Sequence, residues 1–188
     1  MKLKKHSDLT LELLMQSLHY NPDTGVFIWL KRPLEHFPSL QHMRIHHAKW
    51  AGKEAGAVIK SHGYRIIKLF GLGFKAHRLA HFYMTGKFPL LDIGHENQNP
   101  SDNRWSNLQE VSDTANMRNR KIPVSNKTGI AGVQLRKGKH PWKSTIGQGN
   151  KVVHLGSFDN FFDAACARKS AEIRLGYHPN HGKSLWAA

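Results

Sequence analysis

A histidine and two asparagines, His95, Asn107 and Asn116, mark the most polar part of the chain. The stretch 94–109, GHENQNPSDNRWSNLQ, holds six Asn, Asp or Glu residues, and His95 follows the predicted strand end LLDIG. An imidazole can accept a proton near neutral pH, and an asparagine carbonyl oxygen can bind a cation. The stretch is therefore either a catalytic site or a solvent loop stabilised by side-chain hydrogen bonds to its own backbone.

The charge of the chain indicates the class of partner. There are 28 Lys and Arg against 13 Asp and Glu, which gives a net charge of +15. Such a surface attracts phosphate backbones through counterion release, so nucleic acid is the predicted partner. A membrane is not predicted, because no clear basic amphipathic helix is present. On composition alone, a structural or RNA-associated basic protein stays open.

Length and composition limit the class of protein further. The 188 residues allow one domain or two small ones. No apolar run approaches the roughly 20 residues that span a bilayer. The start, MKLKKHSDLTLELL, lacks the unbroken apolar stretch of a secretory signal. The single cysteine, Cys166, excludes an internal disulfide framework and a multi-cysteine zinc site, which favours a reducing compartment such as the cytosol.

Apolar spacing and turn residues predict the elements that must position the polar stretch. Leucines recur at helical spacing over 8–19 and predict a helix there. The further predicted elements are a turn at 21–25, a strand at 26–30, a loop at 33–50, two or three strands over 56–76, a helix at 77–86 closed by Gly86, and a weak helix at 108–121 capped by Ser112 or Asp113.

A second module is predicted after a composition break near Pro123. Short β-forming runs at 130–135, 142–147 and 152–158 predict three antiparallel strands. The alanine-rich segment 159–176 predicts a helix that ends at Gly176. The side chains predicted to pack this helix on the sheet are Phe158, Phe161, Cys166 and Ile173.

Other histidines give weaker signals. His77 and His81 have the i, i+4 spacing of zinc hydrolases, but Arg78 stands where the glutamate base of that motif belongs. Packing or phosphate contact is therefore predicted for this pair. The histidines at positions 42, 46 and 47 are predicted to lie in an exposed basic loop.

The offsets from His95 to Asn107 and Asn116, with the text NPSDNRWSNLQEVSDTANMRNRK between and around them, resemble the HNH nuclease family of the phage and intron-homing type. The upstream text GYRIIKLFGLGFKAHRLAHFYMTGKFP is also similar to that family, so the resemblance covers roughly residues 8–121. It implies that His95 is the general base that activates water. It further implies that Asn107 braces the loop and orients His95, and that Asn116 binds Mg²⁺ or Mn²⁺.

The residue before the histidine departs from the family pattern. Homing-type members usually have an aspartate there as the second metal ligand, whereas this chain has Gly94. Asp92 and Glu96 flank the gap on the same face of an extended strand, and Asp92 is the predicted substitute ligand. A natural loss of activity and an inactivating substitution would both produce this sequence.

Residues 128–173 resemble the ethylene-response-factor (Apetala-two) DNA-binding domain. The matching features are GV, a tryptophan in the second strand, LGSFD and an alanine-rich helix. A twisted antiparallel sheet can enter the major groove, so one sheet face is predicted to read DNA, with an ordinary solvated basic face as the alternative. The residues predicted to contact DNA across the chain are Arg104, Arg118, Arg120, Lys121, Gln134, Arg136, Lys137, Lys139, Trp142, Lys143, Thr145 and Lys151.

Together these observations predict an α+β protein. A ββα-metal HNH module with a preceding helix and small antiparallel sheet is expected over 1–121, a linker over 122–126, and a three-stranded sheet plus one helix over 127–188. The predicted activity is metal-dependent cleavage of double-stranded DNA, and the alternative is a sequence-specific DNA-binding protein without catalysis. The expected setting is the cytoplasm of a bacterial or phage-infected cell, with a monomer favoured.

Overall fold

The chain folds into two compact units, Met1–Glu110 and Val111–Ala188. The computed structural model describes residues 2–119, 122, 125–149 and 151–182. Within those residues the α-helices are α1 Leu11–Ser17, α2 Leu40–Trp50, α3 Ala76–Thr85, α4 Asp113–Arg118 and α5 Phe161–Arg174. The strands are β1 Leu18–Asn21, β2 Val26–Trp29, β3 Ala57–Val58, β4 Arg65–Leu69, β5 Leu72–Lys75, β6 Asp92–His95, β7 Leu108–Val111, β8 Val133–Leu135, β9 Trp142–Gln148 and β10 Lys151–Phe158.

Small sheets dominate the architecture. In the first unit β1 pairs with β2, β4 lies between β3 and β5, and β6 pairs with β7. In the second unit β9 lies between β8 and β10 in an antiparallel sheet followed by α5. This composition fits the predicted α+β class. The predicted domain boundaries at 121 and 127 stay a prediction, while the compact units divide between residues 110 and 111.

The first unit is built around an apolar core that α1, α3 and the strands share. Thr10 caps α1 by accepting a hydrogen bond from the Leu13 N–H, and Leu14 on this helix is fully buried. The core-facing residues of α3 follow a helical spacing, and Gly86 ends this helix in the left-handed conformation, as predicted. The fully buried large side chains of this core include Leu18, Tyr20, Phe27, Ile67, Leu69 and Leu79.

The prediction of a loop over 33–50 is wrong, because α2 occupies Leu40–Trp50. Both prolines of this segment precede the helix, and Ser39 caps it by accepting a hydrogen bond from the His42 N–H. None of its residues is fully buried. His46 and His47 are half-buried against the Phe37 ring instead of lying in an exposed loop. The helix therefore has no apolar stripe from which its periodicity could be detected.

The prediction of a helix starting at residue 108 is also corrected. Residues 108–111 form β7, and α4 begins only at Asp113, with Ser112 as its cap. The segment LQEV alternates too briefly to separate a strand from a helix by pattern alone.

In the second unit the three predicted strands and the helix are confirmed, but the predicted packing of the helix is wrong for Cys166 and Ile173. Cys166 is exposed and Ile173 is 81% exposed. The buried face of α5 instead carries Ala164, Arg168 and Ala171. Cys166 follows Ala164 by two residues, about 200° around the helix, so it faces away from the sheet.

None of the helices in the described part of the chain is long and apolar enough to cross a membrane.

The turn between β1 and β2 supports the loop that follows β6. Gly25 ends this turn with φ +72°, and a Cβ there would collide with the backbone of Asn103 and Arg104. We expect Gly25→Ala to lower the free energy of unfolding by the cost of a left-handed alanine, about 1–2 kcal/mol, plus roughly 2 kcal/mol of steric overlap. Urea unfolding measures this difference.

Gly52→Ala is the matched control for this substitution. Gly52 has a similar φ of +78°, but a Cβ there would meet nothing within 4 Å. It should therefore show the conformational cost alone. Equal losses in the two variants would contradict the close approach of the turn to the loop.

Candidate active site around His95

His95 ends strand β6, and its side chain is only 8% exposed. β6 pairs with β7, and the polar loop 96–107 joins the two strands. At the start of this loop the Glu96 N–H donates to the Asn107 carbonyl oxygen at 2.9 Å. His95 and Asn107 therefore stand at the two ends of one short strand–loop–strand segment.

The side chain of Asn107 holds the loop in shape. Its Oδ1 accepts a hydrogen bond from the Asn97 N–H at 2.9 Å, and its Nδ2 donates to the Asp102 carbonyl oxygen at 2.8 Å. Asn107 is 5% exposed, so these bonds are largely shielded from water. Both bonds join backbone groups of the loop, and the orientation of the imidazole by Asn107 stays a prediction.

Asp102 is the charged centre of the loop. Its carboxylate accepts hydrogen bonds from Arg104 Nη2 at 2.6 Å and Nε at 2.9 Å, and from Asn97 Nδ2 at 2.7 Å. These bonds lower the pKa of Asp102 to about 2, with the Arg104 side chain as the largest cause. Arg104, predicted to contact DNA, is thus engaged in an ion pair at the surface of the loop.

The β1–β2 hairpin anchors the other side of the loop. The Tyr20 hydroxyl donates to the Asn103 carbonyl oxygen at 2.7 Å, and the Trp105 N–H donates to the Pro22 carbonyl oxygen at 2.9 Å. Burial, and secondarily the charge of Asp102, raises the pKa of Tyr20, so its hydroxyl stays protonated and remains a donor.

Two aromatic side chains from earlier elements contact the His95 ring. His77 of α3 lies with its ring centroid 5.1 Å from that of His95, and the two planes are perpendicular. The Tyr64 ring, just before β4, lies 6.0 Å from the His95 ring and 5.0 Å from the His77 ring. Sequence patterns identified His77 only as part of a helical pair, and nothing in them indicated Tyr64 or its neighbour Lys75, whose Nζ lies 4.8 Å from the Tyr64 ring.

The surroundings keep His95 neutral. Burial lowers the pKa of His95, while a hydrogen bond with the Asn103 side chain and the charge of Asp102 oppose that shift. Burial also lowers the pKa of His77 to about 3, with further contributions from His95, Lys75 and Arg78. A neutral imidazole can accept a proton, which is what a general base must do.

Few metal-binding side chains surround this site. Glu96 accepts a hydrogen bond from Gln109 Nε2 at 2.8 Å, whereas the exposed Asp92 carboxylate has no hydrogen-bond or ion-pair partner among the described residues. No group of three or more His, Cys, Asp or Glu in the described ranges could hold a metal ion. Of the two predicted metal ligands, Asp92 lies in the first unit and Asn116 in the second.

The remaining predicted residues lie in the second unit or outside the described residues. Asn116 is half-buried on α4, and the Arg118 guanidinium lies 5.3 Å from the centre of the Tyr177 ring. Arg120 and Lys121 fall outside the described residues.

The strand register shows which predicted DNA contacts share one sheet face. Gln134 pairs with Lys143, and Arg136 donates to Gln134 Oε1 at 2.7 Å, so these three lie together on the face away from α5. Thr145 shares that face by alternation, but its hydroxyl donates to the Gly132 carbonyl oxygen at 3.2 Å.

Two predicted residues do not share this face. Trp142 alternates with Lys143 and contacts the Phe161 ring of α5 at 5.1 Å. Lys151 pairs with Gln148 and is exposed at the end of the sheet. By alternation it belongs to the sheet face opposite to that of Lys143. Lys137 and Lys139 are exposed in the loop after β8.

One comparison with known proteins concerns the segment that contains His95. Residues 74–118, about a quarter of the chain, match a family model described as HNH endonuclease. The matched segment contains His77, His95, Asn107 and Asn116, and it indicates a nuclease module. No curated protein and no solved structure matches the chain.

The Asp102 ion pair makes a pH-dependent contribution to stability. Its pKa is about 2 in the folded chain against 3.8 ordinarily, so the contribution is complete above about pH 4 and is lost as pH falls through about 2. We expect Asp102→Asn to lower the free energy of unfolding by about 1 kcal/mol at pH 7, because solvent screens a half-exposed arginine partner. Urea unfolding at pH 7, 4 and 2.5 should show this difference shrinking with acid.

Asp23→Asn is the control, because the exposed Asp23 carboxylate makes no hydrogen bond or ion pair with the described residues. Its effect should be small at every pH. A loss in Asp102→Asn that does not change with pH would show that the charge of Asp102 is unimportant.

Proposed function

We propose that this chain is a metal-dependent DNA endonuclease and that His95 activates the attacking water. The observation that carries the proposal is a buried, neutral imidazole at the end of β6, held beside a braced polar loop within the segment that matches HNH endonucleases. The net charge of +15 supports a polyanionic substrate.

Phosphodiester hydrolysis needs a base that is unprotonated at the working pH and fixed in place. Burial of His95 supplies the first property. The hydrogen bonds of Asn107 to both sides of the loop support the second, because they fix the segment that starts at His95. His95 takes the proton of water, and Asn107 acts by positioning.

HNH nucleases generally use a divalent metal ion. Hard oxygen donors suit Mg²⁺ or Mn²⁺, which are often bound by one or two carboxylates together with substrate phosphates. The protein ligands in this proposal are those that the sequence predicted, Asn116 and Asp92, and the exposed Asp92 carboxylate has no partner among the described residues. The chemistry that the ion supplies is stabilisation of charge on the phosphate and the leaving oxygen.

The second unit holds the DNA in this proposal. Gln134, Arg136 and Lys143 present hydrogen-bond donors on one exposed sheet face, where arginine and glutamine can read bases and lysine can bind phosphate. Beside β8 lies a groove of about 1070 Å³, whose lining includes Lys127, Arg136 and Trp142. The other proposed DNA contacts, as the sequence predicted them, are Arg104, Arg118, Arg120, Lys121, Lys137, Lys139, Thr145 and Lys151.

A sequence-specific DNA-binding protein without catalysis is the second candidate. Gly94 favours it, because this position offers no carboxylate beside His95. Gly94 is buried in strand β6 with a φ outside the left-handed region, so the backbone itself does not disfavour an aspartate there. The two candidates can therefore be separated by restoring the carboxylate.

The decisive experiment compares the native chain with Gly94→Asp on supercoiled plasmid in Mg²⁺ and in Mn²⁺. We expect Gly94→Asp to nick or cut at least tenfold faster, since a second carboxylate strengthens metal binding, and His95→Ala in either background to abolish cleavage while DNA binding persists. Cleavage by neither protein would refute the nuclease. Cleavage by Gly94→Asp alone would identify this chain as an inactive form.

The DNA-holding face has a separate test. Lys143→Ala should lower the slope of log K against log salt by about one, because one phosphate contact is lost. Lys169→Ala is the matched control, since Lys169 lies on α5 and pairs with Glu172 at 2.8 Å. Fluorescence anisotropy with duplex DNA at several salt concentrations measures both slopes, and identical slopes would remove this face from the proposal.

A further inference from the structure

A second buried histidine, His77, packs against the ring of His95 in the candidate site. His77 is only 4% exposed, and it lies on the core-facing side of α3 between the buried Ala76 and Leu79. Its ring stands perpendicular to that of His95, at 5.1 Å between centroids. This edge-to-face arrangement is favourable for ring pairs and depends on the plane of each ring.

Tyr64 completes a cluster of three rings. It lies 5.0 Å from His77 and 6.0 Å from His95, so it contacts both imidazoles from a different element. A ring that is packed by two others cannot rotate about its Cβ–Cγ bond without displacing one of them. The cluster therefore restricts the plane of the His95 ring.

The charged and titratable groups around His95 come from several elements. The loop contributes Asp102, α3 contributes His77, and the segment before β4 contributes Tyr64. The charges of Lys75 and Arg78 lower the pKa of His77. His77 stays neutral above about pH 3, so it excludes water from His95 without adding a charge.

We propose that His77 is a positioning residue for the reaction, fixing the ring plane of His95 and keeping water from that side of it. This inference rests on the proposed role of His95 as the base. His77 does not contact the substrate in this scheme, and it acts only through His95.

The buried Nδ1 of His77 makes the proposal testable by substitution. This atom has no hydrogen-bond partner among the described residues, and an unpaired buried nitrogen costs stability. Phenylalanine keeps a ring at this position, and leucine fills the space without a ring. Both remove the unpaired nitrogen, so both variants are expected to fold.

The first readout is the titration of His95 by NMR in the native Gly94 chain, with its signals identified by their loss in His95→Gln. His77→Ala opens a cavity beside His95, so the pKa of His95 should rise toward its ordinary value as water enters. His77→Phe should leave the titration of His95 near that of the native chain. An unchanged titration of His95 in His77→Ala would contradict the proposal and show that His77 is only a packing residue of the core.

The second readout is cleavage by the Gly94→Asp protein. His77→Leu should reduce kcat roughly tenfold with little change in KM, while His77→Phe should stay within about threefold of its parent. In His77→Ala the acidic limb of the pH profile should move to higher pH, because the base is then protonated at higher pH. Parent-like rates in His77→Leu would overturn the proposal.

The two proposals fail in different ways. If no variant cleaves DNA, the nuclease is refuted, but the NMR titration still reports whether His77 controls His95. If cleavage occurs and neither the titration nor the rate depends on residue 77, only the positioning role is refuted. Circular dichroism on each variant confirms that the fold is intact before either readout is taken.

Discussion

The amide of Asn107 is the interaction on which the candidate site depends. One side chain bonds the backbone of Asn97 and the backbone of Asp102, and so joins the two halves of a loop that has little apolar content. A polar loop of this length cannot fold by burying hydrophobic surface, so its shape must come from hydrogen bonds. Because Asn107 is buried, each bond contributes more than it would in water.

Other parts of the first unit also hold this loop in place. Tyr20, fully packed in the core, reaches out with its hydroxyl to the Asn103 carbonyl, so the loop is tied to the apolar core at one point. Gly25 permits the β1–β2 turn to approach the same peptide. The N-terminal hairpin, which carries none of the predicted site residues, is thus a structural part of the site.

Local chemistry made much of this fold predictable. Ser112 and Gly86 are helix signals, and the structure places each at a predicted helix end. The helix α2 could not be predicted, since its half-buried residues are one methionine, Met43, and two histidines instead of an apolar stripe. The prediction of how α5 packs failed for a related reason, because the buried face of this helix includes the ion pair between Arg168 and Glu172.

Only the site residues that lie within one segment of the chain could be predicted from the sequence. The offsets of His95, Asn107 and Asn116 suggested roles, because spacing within one segment is visible in the sequence. Neither His77 nor Tyr64 could be assigned to the site, since their approach to His95 depends on how α3 and β4 pack in three dimensions. A ring-to-ring contact between distant segments leaves no signal in a single sequence.

The effect of charge on the pKa of His95 explains why the proposed base needs to be buried by His77 and Tyr64. The charge of Asp102 raises the pKa of His95, whereas Lys75 and Arg78 lower the pKa of the neighbouring His77. A DNA phosphate beside His95 would raise its pKa further, because a neighbouring negative charge favours the imidazolium. The base would then tend to be protonated when it is needed. Burial between His77 and Tyr64 opposes that shift, since desolvation disfavours the charged form whether or not DNA is bound.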